Sequence, residues 1–129
     1  MRTLRDVIDR HAEVRADAPF LIAPEPGVTI TYRDLRATCR ALGAFLDSRG
    51  VGAGEVVSFM LPNGIAAATI FLGTMYAGRV ACPLNLIAQD VLLEHVLAHS
   101  DARIVFAATE HADRIERLVA SCRRAIAVR

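Results

Sequence analysis

The chain has 129 residues, of which 53% are apolar, 5% aromatic and none Trp, enough apolar material for the core of one ordinary domain. Its formal net charge of +1 comes from basic and acidic residues scattered along the sequence, which excludes the electrostatic footprint of a nucleic-acid binder or of a protein held on an acidic membrane surface. No apolar run reaches the ~18 residues of a membrane span, and Met1-Arg2-Thr3-Leu4-Arg5 leads into charged residues instead of a secretory apolar core, so the cytoplasm is the expected compartment.

The first predicted element is a helix over 3–16. Thr3 and Asp6 have capping-box spacing, and Leu4, Val7, Ile8 and His11 share a face. Asp17-Ala18-Pro19 ends it. Two short strands follow, 20–23 and 28–31, joined by the turn-rich Pro24-Glu25-Pro26-Gly27, as in a hairpin or edge ribbon. Thr31 and Asp34 repeat the capping-box spacing and open a helix of about four turns, with Leu35, Cys39, Leu42 and Leu46 on one face and Gly50 closing it.

The stretch 50–107 centres on a strand, helix, strand unit. Residues 56–61 are almost wholly apolar, which suits a strand covered on both faces in a parallel sheet. Pro62 ends its ladder, and Asn63 is placed to cap the next helix. That helix, 65–76, is apolar nearly all round and is expected to be buried, with Gly78 as its left-handed stop. Residues 80–84 return as a parallel strand through a right-handed crossover. A helix over 89–99, a strand over 103–107, a Thr109-capped helix over 110–122 and a strand over 125–128 complete the pattern. The fold class is therefore α/β: a doubly wound, mainly parallel sheet with flanking helices, plus a small N-terminal helix and strand ribbon. No internal domain boundary is visible across 1–129, and the chain ends as a strand begins, which reads as one part of a longer protein.

Several motifs together resemble the adenylate-forming (AMP-binding) enzymes. Ile30-Thr31-Tyr32-Arg33-Asp34-Leu35 is similar to their first motif, a Thr-Tyr-x-x-Leu helix opening. Tyr76-Ala77-Gly78-Arg79-Val80-Ala81-Cys82-Pro83-Leu84-Asn85 resembles the second, in the form that acyl-CoA synthetases use. The Gly50-Val51-Gly52-Ala53-Gly54-Glu55 lead and the His99-Ser100-Asp101-Ala102-Arg103 turn fall in the same order. The likeness runs from about Leu4 to Ala108 and implies the N-terminal subdomain of a carboxylate–CoA ligase.

Such enzymes form an acyl-adenylate from a carboxylic acid and ATP with Mg²⁺, then let the thiol of CoA displace AMP. The resemblance therefore implies ATP, Mg and CoA as cofactors of the parent enzyme, and a carboxylic acid and CoA as its partners. The family's phosphate loop, acidic Mg²⁺ ligand, ribose-binding Asp and C-terminal Lys are absent from these 129 residues. The chain alone is thus expected to hold none of these cofactors tightly and to be inactive, with no catalytic residue assigned. On the acceptor side, the loop after the second motif maps onto Asn85 and Leu86. Arg114 and Arg117, at i, i+3, fall where a basic pair would meet the 3′-phosphate of CoA; an ordinary solvated face beside Glu110, Asp113 and Glu116 is the competing reading.

Other chemistries find less support in the residues. The Gly50-x-Gly52-x-Gly54 run precedes a strand and follows a helix, the reverse of a phosphate loop, and reads as a helix stop and turn. His95 and His99 at i, i+4 lack the His-Glu-x-x-His order and a third ligand, so no metal site is expected. Cys39, Cys82 and Cys122 form no Cys-x-x-Cys pair, and no serine sits in a Gly-x-Ser-x-Gly elbow. Two other functions stay open: an enzyme that stops at the acyl-adenylate or loads a carrier protein, and a free-standing α/β binding module. The Pro83-Leu84-Asn85 ending favours the CoA ligase, and a phosphoacceptor receiver would need an acid where Ala108 follows the strand.

Overall fold

The computed structural model describes residues 3–23, 27–62, 64–120 and 127–128. In chain order the elements are α1 (Leu4–Val14), β1 (Pro19–Ala23), β2 (Val28–Thr31), α2 (Tyr32–Ser48), β3 (Val56–Met60), α3 (Ile65–Tyr76), β4 (Val80–Pro83), α4 (Asp90–His99), β5 (Ala102–Ala107), α5 (Thr109–Val119) and β6 (Ala127–Val128). The contacts sort them into two compact units interleaved along the sequence. One holds Met1–Gly50 with Asn63–Gly78, the other Val51–Pro62 with Arg79–Arg129.

The first unit is three helices and an antiparallel ribbon. Both predicted capping boxes form: Asp6 N donates to Thr3 Oγ1 at 3.2 Å while Thr3 N donates to Asp6 Oδ2 at 3.1 Å, and Thr31 and Asp34 repeat the geometry. Each box satisfies two amides that the helix itself leaves unpaired. β1 pairs antiparallel with β2, as the hairpin pattern requires; the Pro24-Glu25-Pro26 bridge lies outside the described residues. Leu35, Cys39 and Leu46 are buried along α2, and Ile8, Leu35, Cys39 and Tyr76 form one apolar cluster.

α3 differs from its sequence expectation. It buries Thr69, Gly73, Thr74 and Tyr76 but leaves Ala66 and Phe71 exposed, Phe71 by 38%, so it is sheltered around much of its circumference and not buried all round. Gly73 marks its contact with α2: a Cβ there would lie 2.8 Å from the Leu42 side chain and 3.6 Å from the Cys39 backbone, so α2 and α3 approach through a glycine. The helix starts from Gly64 without a side-chain cap; Asn63, the predicted cap, lies outside the described residues. At its far end the Tyr76 hydroxyl donates to Asp9 Oδ1 at 2.5 Å, and Gly78 takes φ +77°, the left-handed stop.

The second unit is a parallel four-stranded sheet in the order β4-β3-β5-β6. The chain winds outward from β3 to β4, then reverses across β3 to β5 and β6, which is the doubly wound order. β3 is an interior strand, and Val57, Ser58, Phe59 and Met60 are all buried, as expected of a strand that is apolar except for Ser58. α4 and α5 pack Leu93, Leu97, Ile115 and Leu118 onto Met60 and Val105 of the sheet. α5 begins at Thr109 with Ala108 as its cap residue and no side-chain cap bond, so Thr109 is the first helical residue and not the cap. No helix among the described residues is long and apolar enough to cross a membrane.

Candidate functional site

The loops at the carboxyl ends of parallel strands are where open α/β sheets take their ligands, because that edge is left uncovered where the strand order reverses. In the second unit, residues 84–90 lead from the carboxyl end of β4, the outer strand beside β3, into the first residue of α4. The segment starts with a continuation of the ladder, Leu84 N donating to the Phe59 carbonyl at 2.9 Å. Asn85 then folds the chain back on itself. Its Oδ1 accepts from Ile87 N at 3.0 Å and its carbonyl from Ala88 N at 3.2 Å, an Asx-type turn. Leu86 packs half-buried against the apolar cluster, while Ile87 stands 90% exposed.

The two predicted arginines converge on this segment. Arg114 donates from Nε to Asp90 Oδ1 and from Nη2 to the Ala88 carbonyl, both at 2.6 Å, and its side chain is 26% exposed. Arg117 reaches Asp90 Oδ2 at 3.4 Å and stays 69% exposed. Asp90, on which both converge, is the residue that sequence reasoning missed. The hydrogen bond from Arg114, reinforced by the charges of Arg114 and Arg117, holds its carboxyl below the ordinary carboxylate range. Only its place in the first turn of a helix hinted at it, and that explains a cap as readily as an ion pair.

The remaining sequence candidates have structural settings. Gly50 at φ +74° and Gly54 at φ +79° form the helix stop and turn before β3, and Gly52 N donates to Glu55 Oε2 at 3.2 Å. The His95 and His99 rings lie 4.3 Å apart between centroids, tilted by 46°, in an open groove of about 340 Å³ lined also by Val91, Glu94 and Ala98. Among the described residues no group of three or more His, Cys, Asp or Glu is arranged to hold a metal ion. Burial pushes the Cys39 thiol up to about 11, so it is an inert core residue; Cys122 lies outside the described residues. The glycine turn follows α2 and leads into β3, the reverse of the strand-to-helix order of a phosphate loop.

Residues 8–128 match the AMP-binding enzyme family. Over 104 residues the chain is 40% identical to the sulfoacetate–CoA ligase of Cupriavidus necator, covering 81% of this chain and 20% of that protein. Over 112 residues it is 32% identical to the isonitrile lipopeptide synthase of Streptomyces coeruleorubidus, 87% of this chain and 8% of that one. Among solved structures, a benzoate CoA ligase from Burkholderia xenovorans superposes with a TM-score of 0.85 and 26% identity, over all of this chain and 26% of the ligase. The chain spans about a fifth of the length of the sulfoacetate–CoA ligase that it matches. With a family match over nearly its whole length and the α/β architecture those motifs require, this chain belongs to the AMP-binding enzymes.

Proposed function

We propose that the chain is the N-terminal part of an ATP-dependent carboxylate–CoA ligase. The observation that carries this reading is the 40% identity to a CoA ligase over 81% of the chain. In the parent enzyme a carboxylate oxygen attacks the α-phosphorus of ATP and expels pyrophosphate. The thiol of CoA then attacks the acyl carbon, and AMP leaves. Both steps depend on stabilising phosphate charge, and the phosphate loop, Mg²⁺ ligand and lysine that do so are absent from these residues. This part contributes scaffold and an acceptor-side edge formed by Asn85, Leu86, Arg114 and Arg117; of the two arginines, Arg117 has the exposed guanidinium. We place the reaction in the cytoplasm, with a carboxylic acid and CoA as partners and no nucleic acid.

ATP–pyrophosphate exchange tests both halves of the reading. The purified 129-residue chain should show none with sulfoacetate, benzoate or a medium-chain fatty acid, and the complete polypeptide should show exchange with at least one acid and consume CoA. Exchange by the 129-residue chain alone overturns its assignment as scaffold. A second reading is supported by the 32% identity to isonitrile lipopeptide synthase: the parent passes its acyl group to a carrier-bound pantetheine. Offering CoA and a pantetheinylated carrier side by side separates the two.

A further inference from the structure

We propose that Arg114 is a positioning residue, whose guanidinium sets the conformation of residues 84–90 and so the acceptor-side surface at the carboxyl edge of the sheet. The inference rests on the ligase reading for its functional half and on geometry alone for the other. Arg114 directs two different nitrogens to two different acceptors, the Ala88 carbonyl and the Asp90 carboxylate, each at 2.6 Å. Those acceptors sit on either side of Gln89, so the planar fork fixes the chain direction where the loop becomes helix, as a single ammonium would not. The arginine stands on a rigid base, since Ile115 and Leu118 of the same helix are buried in the sheet's core.

The segment needs such a tie. It contains no glycine or proline between Leu84 and Asp90, and its internal order comes from two bonds to Asn85. It nevertheless holds Ile87 almost wholly in water, next to the half-buried Leu86. An external phosphate at Arg114 would first have to displace a carboxylate already bonded at 2.6 Å. The cation is thus given over to shape.

Amide hydrogen exchange on the purified chain tests the geometric half. Arg114→Ala should speed exchange in 85–90 by about tenfold or more and leave 56–60 and 102–107 unchanged. Arg114→Lys should be intermediate, and Arg103→Ala, which breaks an ion pair with Glu55 elsewhere on the sheet, should leave 85–90 as in the wild type. Unchanged exchange in 85–90, or acceleration spread evenly over the sheet, overturns the proposal; if Arg114→Ala does not fold, Arg114→Lys carries the same test. In the complete ligase, Arg114→Ala should raise the KM for the thiol by about tenfold with ATP–pyrophosphate exchange held within about twofold. A loosened loop with an unchanged KM overturns the acceptor-side role. A wild-type ligase that adenylates no acid strikes the functional reading instead, and leaves the hydrogen-exchange result to decide whether Arg114 sets the conformation of residues 84–90.

Discussion

The turn that leads into β3 and the loop that follows β4 solve the same problem by opposite means. The turn before β3 carries three glycines in five residues, takes two of them to positive φ and braces itself with a carboxylate from within, Glu55 on the Gly52 amide. Residues 84–90 contain no glycine and are held by an arginine 24 residues further along the chain. The glycine-rich loop, which most resembles a phosphate cradle by composition, is a local backbone device. The loop that resembles nothing by composition depends on a distant cation. Residue type therefore misleads in both directions, because a glycine or an arginine acquires its role from what stands opposite it.

The sharpest way to break this contrast is at the glycines. Gly50→Ala with Gly54→Ala puts side chains at two left-handed positions and should cost about 1–2 kcal/mol each, read as a fall in the urea midpoint with unchanged slope. Gly52→Ala, where a Cβ would meet nothing nearer than 3.9 Å and φ is not positive, should cost no more than about 0.5 kcal/mol. Equal losses at all three would mean that the turn is not set by backbone conformation.

Arg114→Ala should follow at about 1–2 kcal/mol, because it strips a charged donor from two acceptors on a side chain that is largely sheltered. Acid sharpens the same point. Asp90 has its folded-state pKa lowered, so its contribution is present above the ordinary carboxylate range, near 4, and is lost as pH falls through the depressed value. Asp90→Asn should flatten the acid limb of the Tm against pH relative to wild type. Asp34, lowered through its bonds to Thr31, is common to both proteins and drops out of the difference. An acid limb unmoved by Asp90→Asn would remove the charge from the account.

The smallest effect should be at the Glu55 end of the sheet. Arg103 meets Glu55 at 3.2 Å, but both side chains are well hydrated, and Arg103→Ala should change stability by less than about 0.5 kcal/mol. A loss as large as that of Arg114→Ala would show that any arginine–carboxylate pair suffices and that the Ala88 carbonyl adds nothing.

Much of the fold was legible because its signals are local. Thr3 with Asp6 and Thr31 with Asp34 announce helix starts within one turn, Gly50 and Gly78 announce stops, and the apolar run at 56–60 announces a strand buried on both faces. The Thr-Tyr-x-x-Leu opening and the Tyr76 to Asn85 words carried the family, in agreement with the match over 8–128. Two local expectations gave way. Thr109 opens α5 from within the helix instead of capping it, and α3 packs through Thr69, Gly73, Thr74 and Tyr76 with Phe71 left outward. An apolar run of helical length has atoms to bury on every side, but only the neighbours in the fold decide which side is covered.

The candidate site was legible only in part. Its loop and its arginines followed from the family resemblance, the i, i+3 spacing only placing the two arginines on one face, but Asp90 did not, and neither did the bond from Arg114 to the Ala88 carbonyl. Sequence alone determined the elements, the two capping boxes and the family, since those depend on residues within a few positions of one another. The tertiary structure decided which charges are paired inside the molecule, because strand order and helix packing, not spacing, bring residues 24 and 26 positions apart to within 2.6 Å.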